Sequence, residues 1–276
     1  MAFAQPFARP TGRPIHGAVA TLGVSDRVAF LRKTYALLGG SLVAFALVSG
    51  GLIAYAPNFS WAMSSWMFTS GFLGYIVMFA VFIGVTTWAQ RMTMSDSSRG
   101  VQYLGLGISV LAQALILQPI LWLVLMMFGD HVVVSSYSMQ TAGRHYAMHM
   151  NAQTTALILQ AVVITLSIFG GLTAVVFVTR KDFSFLRGIL SIATFGLIGV
   201  ALASAAFGGF GLNASMIYCA IAAAVMGGYI LYETSAVLSV FPPSAYVAAA
   251  TMLFTTIATL FRLILQLLAM FNSNRR

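Results

Sequence analysis

The chain has 276 residues, 60% of them hydrophobic and only 7% charged, with a mean hydropathy of +0.93. A soluble domain carries about 25% charged residues, so this composition excludes a soluble globular protein and leaves no length for a separate soluble domain. The net charge of +9 follows the membrane topology set out below and is not the footprint of nucleic-acid binding.

Residues 1–30 read as a flexible, basic, cytoplasmic tail. Pro6, Pro10 and Pro14 interrupt it and it has no apolar core, so it lacks the pattern of a secretory signal peptide. Its basic, acid-poor start bears a faint likeness to a mitochondrial transit segment, against which the cytoplasmic tail is preferred. Residues 31–276 read as a single all-α domain of seven transmembrane helices. Runs of about 20 apolar residues can cross a bilayer, and seven such runs occur, at 34–54, 67–89, 101–128, 154–178, 186–207, 212–238 and 244–270. Pro119 removes a backbone donor inside the third run and predicts a kink. Pro242 and Pro243 punctuate a tight hairpin between the last two.

Basic residues orient these runs. Arg9, Arg13, Arg27, Arg32 and Lys33 precede the first, Arg91 and Arg99 flank the second loop, and Arg180, Lys181 and Arg187 flank the fourth, whereas the opposite loops hold only Arg144. The positive-inside rule then places the N-terminus in the cytoplasm. Arg275 and Arg276 fall outside under this topology. A re-entrant last hairpin would return them, but the last run is long enough to span.

Glu233 is the only acidic side chain within any of these runs. An ionisable group at membrane depth costs about 2.5–3.5 kcal/mol on insertion scales and marks a functional site by default. The bland alternative is a carboxyl close enough to the interface to snorkel. At 1.5 Å per residue Glu233 lies roughly 9 Å and Thr256 roughly 18 Å into the bilayer. The two are not level, so tilt or kinking is needed to bring them into one cavity. Thr234, Ser235, Thr255, Thr256 and Thr259 supply hydroxyls for a polar track; taken singly, each could equally bond its own backbone and act as interhelical glue. Arg262, roughly 27 Å along its helix, is too far for an ion pair with Glu233 and reads as snorkelling to headgroups.

The loop after the third run carries His145, Met148, His149 and Met150, with Asp130, His131 and Met139 nearby. In a helix His145 and His149 share a face at i, i+4 spacing that a metal could bridge. Imidazole with thioether favours copper; the competing reading is an interfacial amphipathic segment. Gly39-Gly40, Gly50-Gly51, Gly170-Gly171, Gly208-Gly209 and Gly227-Gly228 predict close helix approach or bending. Trp61, Trp66 and Trp88 read as interfacial anchors. Cys219 is alone, so no disulfide framework exists. No phosphate-binding loop, no paired intramembrane carboxylates and no His-Glu-x-x-His occur, so neither an enzymatic site nor a cofactor is expected.

Several stretches together carry a family resemblance. They are Phe30-Leu31-Arg32-Lys33-Thr34-Tyr35, Thr179-Arg180-Lys181-Asp182-Phe183-Ser184, Gly228-Tyr229-Ile230-Leu231-Tyr232-Glu233-Thr234-Ser235, and Tyr246-Val247-Ala248-Ala249-Ala250 with Leu260-Phe261-Arg262-Leu263. The chain resembles a divergent bacterial member of the Bax inhibitor-1, or transmembrane Bax inhibitor motif, family. The resemblance implies six helices packed around a central C-terminal helix and a pH-sensitive ion leak, usually of calcium, controlled by a pair of aspartates. One of those aspartates falls on Glu233 and the other on Thr256, with the family's following Asn on Thr259. A basic partner often paired with them has no counterpart in the second run before Arg91. Two carboxylates sharing a proton make a pH latch, which one carboxylate cannot do. One Glu is also a poor calcium site, since that ion wants six to eight oxygens.

The leading expectation is therefore a pH-dependent cation leak, of calcium or protons, with Glu233 titrating and Thr256 and Thr259 lining the pathway. The alternative is a non-conducting regulatory subunit bound to a membrane protease or larger complex. Copper handling by His145, Met148 and His149 is a third, minor reading. The partners in view are the lipid bilayer, the transported ion and a membrane-protein partner, with no nucleic acid.

Overall fold

The computed structural model describes residues 19, 23–95, 98–134, 146–149, 151–179, 181–209 and 211–274. Seven helices among them are long and apolar enough to cross a membrane. The first, α1 (Val24–Tyr55), begins inside the stretch read as a tail: residues 24–30 are already helical and Phe30 is buried. Proline then decides the local structure. A residue before proline is pushed out of the helical region, and Ala56 takes φ −132° and ψ 50°. Thus α1 stops at Tyr55, and Pro57 opens α2 (Pro57–Thr69) at a position where a missing N–H costs nothing. This helix was not expected. Its 13 residues reach only about 20 Å, short of a hydrocarbon core of about 30 Å, so it packs against α1, α3 and α4 without crossing.

The chain continues through α3 (Gly71–Met94) and α4 (Arg99–Phe128), the latter unbroken across Pro119. Between α4 and α5 stands a short antiparallel hairpin, β1 (Asp130–Val134) and β2 (Tyr146–His149), pairing Asp130 with His149 and Val134 with Tyr146. The helical reading of this loop is corrected here: Met148 and His149 lie in a strand. A run of three β-branched valines in β1 favours the pleat, and side chains in strands repeat every two residues, so i, i+4 helical facing does not apply. His145, Met139 and Met150 lie outside the described residues.

The remaining helices are α5 (Ala152–Thr179), α6 (Leu186–Ala206), α7 (Leu212–Ser239) and α8 (Tyr246–Ser273), the last entered through a 3-10 turn at Pro243–Ala245. Helix α8 is the axis of the bundle. It packs against α1, α3, α4, α5 and α7, with α6 joined to the body through α7 and α3. In its most apolar stretch 67% of residues are buried, against 6% for α6. Phe254 and Phe261 of α8 meet Phe45 of α1 edge to face at 5.9 and 6.1 Å. Large apolar side chains such as Leu47, Val163, Ile192, Phe195 and Ile217 are exposed on the outer helices, the arrangement a hydrocarbon solvent requires.

Of the expected glycine pairs only Gly227-Gly228 stands at a close helix approach, and Gly105, which was not singled out, marks another. A Cβ on Gly39, Gly40, Gly50, Gly170 or Gly171 would meet nothing within 4 Å. At Gly105 it would lie 2.7 Å from the Ala89 carbonyl, and at Gly228 2.7 Å from Leu190, so these two set the α3–α4 and α6–α7 contacts. Gly208 and Gly209 hold φ 83° and 92° in the α6–α7 turn, a region that favours glycine.

Because α2 does not cross, the starts of α1, α4, α6 and α8 share one end of the bundle with the last turns of α3, α5 and α7. Arg27, Arg32, Lys33, Arg91, Arg99, Lys181 and Arg187 all belong to that end. Ahead of α1, Val19 is fully buried there and donates its N–H to the Phe241 carbonyl at 3.1 Å, which ties the N-terminal segment to the α7–α8 turn.

Candidate functional site

Helices α7 and α8 bring Glu233 and Thr256 into direct contact: Thr256 Oγ1 donates to Glu233 Oε1 at 2.8 Å. Axial rise alone leaves a mismatch. Glu233 stands six residues before the end of α7, about 9 Å, and Thr256 ten residues past the start of α8, about 15 Å. The direction of the Cα–Cβ bond closes the difference, because side chains lean toward the N-terminus of their own helix. In this antiparallel hairpin Glu233 leans away from the turn and Thr256 toward it, so the two side chains converge.

The surroundings are closed. Glu233 is 7% exposed and Thr256 7%, with Ile230 and Val237 of α7 and Leu253 and Ile257 of α8 in the same apolar core. Glu233 Oε2 has no hydrogen-bond partner among the described residues, nor does the buried hydroxyl of Thr234. The carboxyl thus has one oxygen held and one without a partner. If ionised it lacks a second donor; if protonated it lacks an acceptor. A water or a cation could supply either.

The other hydroxyls behave as glue and backbone partners. Thr251, Thr255 and Thr259 each donate to the carbonyl four residues earlier at 2.8–2.9 Å. Thr256 is the exception on α8, since its hydroxyl leaves its own helix. Thr259 is half-buried and makes no bond to the carboxyl. Ser235 donates to the Tyr232 carbonyl and accepts the Phe183 N–H at 3.3 Å, which docks the loop before α6 on α7. In that loop Asp182 accepts the Ser184 N–H at 2.8 Å, an Asx turn that shapes the motif. Arg262 stands six residues beyond Thr256, about 9 Å, half-buried and within electrostatic reach of Tyr218 and Cys219 on α7. Among the described residues no group of three or more His, Cys, Asp and Glu gathers as a metal set.

A second buried polar cluster went unread in the sequence. Ser60 of α2 donates to Gln118 Oε1 at 2.7 Å and accepts Trp122 Nε1–H at 2.7 Å. Gln118 Nε2 donates to the Ala114 and Ser49 carbonyls at 3.0 and 3.3 Å. This lattice joins α1, α2 and α4 toward the bundle end opposite the carboxyl. A glutamine beside a proline in an apolar span was the available signal, since polar groups at membrane depth must find partners. Further buried polar atoms without partners occur at Thr34, Gln113, Ser49 and Thr154, stations from one end of the bundle to the other. A groove of about 470 Å³ lies apart from the carboxyl, between α6 and α7, lined by Leu197, Val200, Ile217 and Tyr218 among others.

Residues 125–273, which include both Glu233 and Thr256, match the family model described as "Inhibitor of apoptosis-promoting Bax1". The chain is 28% identical over 269 residues to Bax inhibitor 1 of Schizosaccharomyces pombe, covering 93% of this chain and 82% of the relative. It is 35% identical over 115 residues to a BI1-like protein of Arabidopsis thaliana, covering 41% of this chain and 44% of that one. An uncharacterized membrane protein of Vibrio cholerae is 31% identical over 117 residues, 42% of this chain and 51% of the relative.

Proposed function

This multi-pass chain belongs to the family of inhibitors of apoptosis-promoting Bax1, and from that membership we propose that it is a weak, pH-dependent proton leak in which Glu233 is the titrating group. The observation that carries the reading is the half-satisfied carboxyl. A lone acid is held in the membrane core by one hydroxyl, with its second oxygen buried and unpartnered. Such a group exchanges a proton with any water that reaches it. Ionisation leaves a charge facing an apolar core, whose cost is relieved by opening the core to water. The unpartnered polar atoms at Thr34, Gln113, Ser49 and Thr154 are places where such water would find hydrogen bonds.

Protons are preferred to calcium on ligand number. Glu233 Oε2 and the Thr234 hydroxyl offer two oxygens and one charge, whereas calcium takes six to eight oxygens. The positive end of the bundle favours a cytoplasmic N-terminus in a bacterial inner membrane. Neither a cofactor nor a catalytic step is required.

The test is proton flux into vesicles containing the purified protein, with an internal pH dye, at several external pH values. Wild type is expected to leak in a pH-dependent manner and Glu233→Gln to show flux no greater than empty vesicles. Equal flux from the two proteins would sink the proposal.

The hairpin β1–β2 favours a second reading, a non-conducting subunit that engages a membrane-protein partner. It stands between the spans α4 and α5 and packs against α2 and α4 at the end of the bundle opposite the basic one. Replacing 130–149 with a short Gly-Ser linker should then release a partner that co-purifies with the intact chain after gentle extraction.

A further inference from the structure

At the basic end of the bundle the starts of α1, α4 and α8 meet at Tyr246. Two cations from separate helices converge on its ring. Lys33 Nζ stands 5.6 Å and Arg99 Cζ 5.0 Å from the ring centroid. The Tyr246 hydroxyl lies 3.2 Å from that of Tyr103. Arg99 makes two hydrogen bonds, to the Ser244 carbonyl at 2.7 Å and to Gln102 Oε1 at 3.1 Å, both from Nη1. Its remaining donors, and the Lys33 ammonium, make no ion pair among the described residues, and both side chains are exposed.

Like charges are not gathered in this way without compensation. The aromatic face offsets part of the repulsion, at about 0.5–1 kcal/mol per exposed cation–π contact. Arg99 and Tyr246 are also the first residues of α4 and α8, so two helix N-termini add partial positive charge. In the tyrosine pair one hydroxyl donates to the other, which leaves one O–H free. The corner is thus a set of donors, with both Arg99 acceptors already used. Five residues deeper than Arg99 on α4, about 7.5 Å toward the membrane core, Leu104 is 57% exposed and offers apolar surface below the donors.

We propose that this corner binds the phosphate headgroup of an anionic phospholipid from the leaflet at this end of the bundle. Lys33, the free edge of Arg99 and the unused tyrosine O–H hold the phosphate oxygens, and Leu104 borders the acyl chains. Three observations select a lipid over a free phosphate ion: the site is at the level where the spans end, it opens outward, and apolar surface adjoins it. Basic pockets between transmembrane helices bind acidic headgroups by the same physics.

Native mass spectrometry of the full chain in detergent tests this, counting bound phosphatidylglycerol against phosphatidylcholine of identical acyl chains. Wild type is expected to prefer phosphatidylglycerol. Lys33→Gln should weaken that preference about five-fold, since one basic residue near a charged surface is worth about that factor. Lys33 makes no hydrogen bond among the described residues, so this variant does not threaten the fold. Tyr246→Phe, which keeps the ring and removes the hydroxyl, should reduce the preference to a smaller extent. Lys181→Gln, an exposed cation at the same end, should leave it unchanged. Equal losses for Lys33→Gln and Lys181→Gln would mean diffuse surface charge and overturn the site. So would the lack of any headgroup preference in wild type, or full displacement of the lipid by millimolar inorganic phosphate.

Discussion

Thr256 is the one hydroxyl on α8 whose bond decides something, because it is the sole described donor to a buried carboxyl. Replacing it with valine keeps the shape and removes the donor. An unsatisfied buried acceptor costs about 1–3 kcal/mol, so Thr256→Val should lower the thermal midpoint of the detergent-solubilised protein. Glu233→Met removes the acceptor as well, at a similar side-chain length. The double variant should therefore be less destabilised than the sum of the single ones, with a coupling of about 0.5–3 kcal/mol as expected for residues in contact. Strict additivity in the melting curves would show that the hydrogen bond contributes nothing. Legibility in the sequence stopped at this residue pair. Glu233 announced itself as a lone acid in an apolar run, and the family likeness pointed to Thr256. Their contact could not be read from axial rise, because the tilt of each Cα–Cβ bond and the offset of the hairpin settle where side chains meet.

At the scale of single elements, α2 is the clearest product of tertiary structure. Its buried Ser60 ties it to Gln118 and Trp122. Ser60→Ala removes the donor to the Gln118 amide oxygen and the acceptor of the Trp122 indole N–H, a loss of about 1–3 kcal/mol. Hydrogen exchange in α2 should rise in this variant while that of α8 stays slow; unchanged protection of α2 would refute the anchoring role. The α3–α4 contact has its own critical residue. A methyl group at Gly105 would meet backbone and side chain of α3 at 2.7–2.9 Å, and overpacking a tight contact costs about 1–3 kcal/mol. Gly105→Ala should therefore destabilise, whereas Gly39→Ala, where a Cβ meets open space, should be neutral or stabilise through helix propensity by up to about 1 kcal/mol. Thermal melts of the two variants in one detergent separate these outcomes. Small-residue pairs in the sequence gave no hint of this difference, since a glycine matters only where another backbone comes close.

For the whole molecule, the clustering of described basic residues at one end sets the expected orientation. Single cysteines introduced at Ser98 and Ser184 should react from the same side of the membrane, and one at Asn58 from the other. A membrane-impermeant thiol reagent on intact cells, with and without permeabilisation, reads this directly; buried Cys219 should stay silent. Labelling of all three from one side would overturn the alternating topology.

Composition and apolar run length by themselves determined the class, the number of spans and the axis of charge, because a bilayer leaves a chain of this hydropathy no alternative to satisfied helices of fixed length. Pro242 and Pro243 likewise marked the final hairpin without help from the fold. The family likeness in the sequence already implied that the last helix is the axis. Tertiary structure alone decided that α2 folds back without crossing, that the loop after α4 is a hairpin, and that Glu233 meets Thr256 with one oxygen left over. Those outcomes rest on packing between helices distant in sequence, where apolar faces look alike until side-chain direction, glycine clearance and buried hydrogen bonds choose among them.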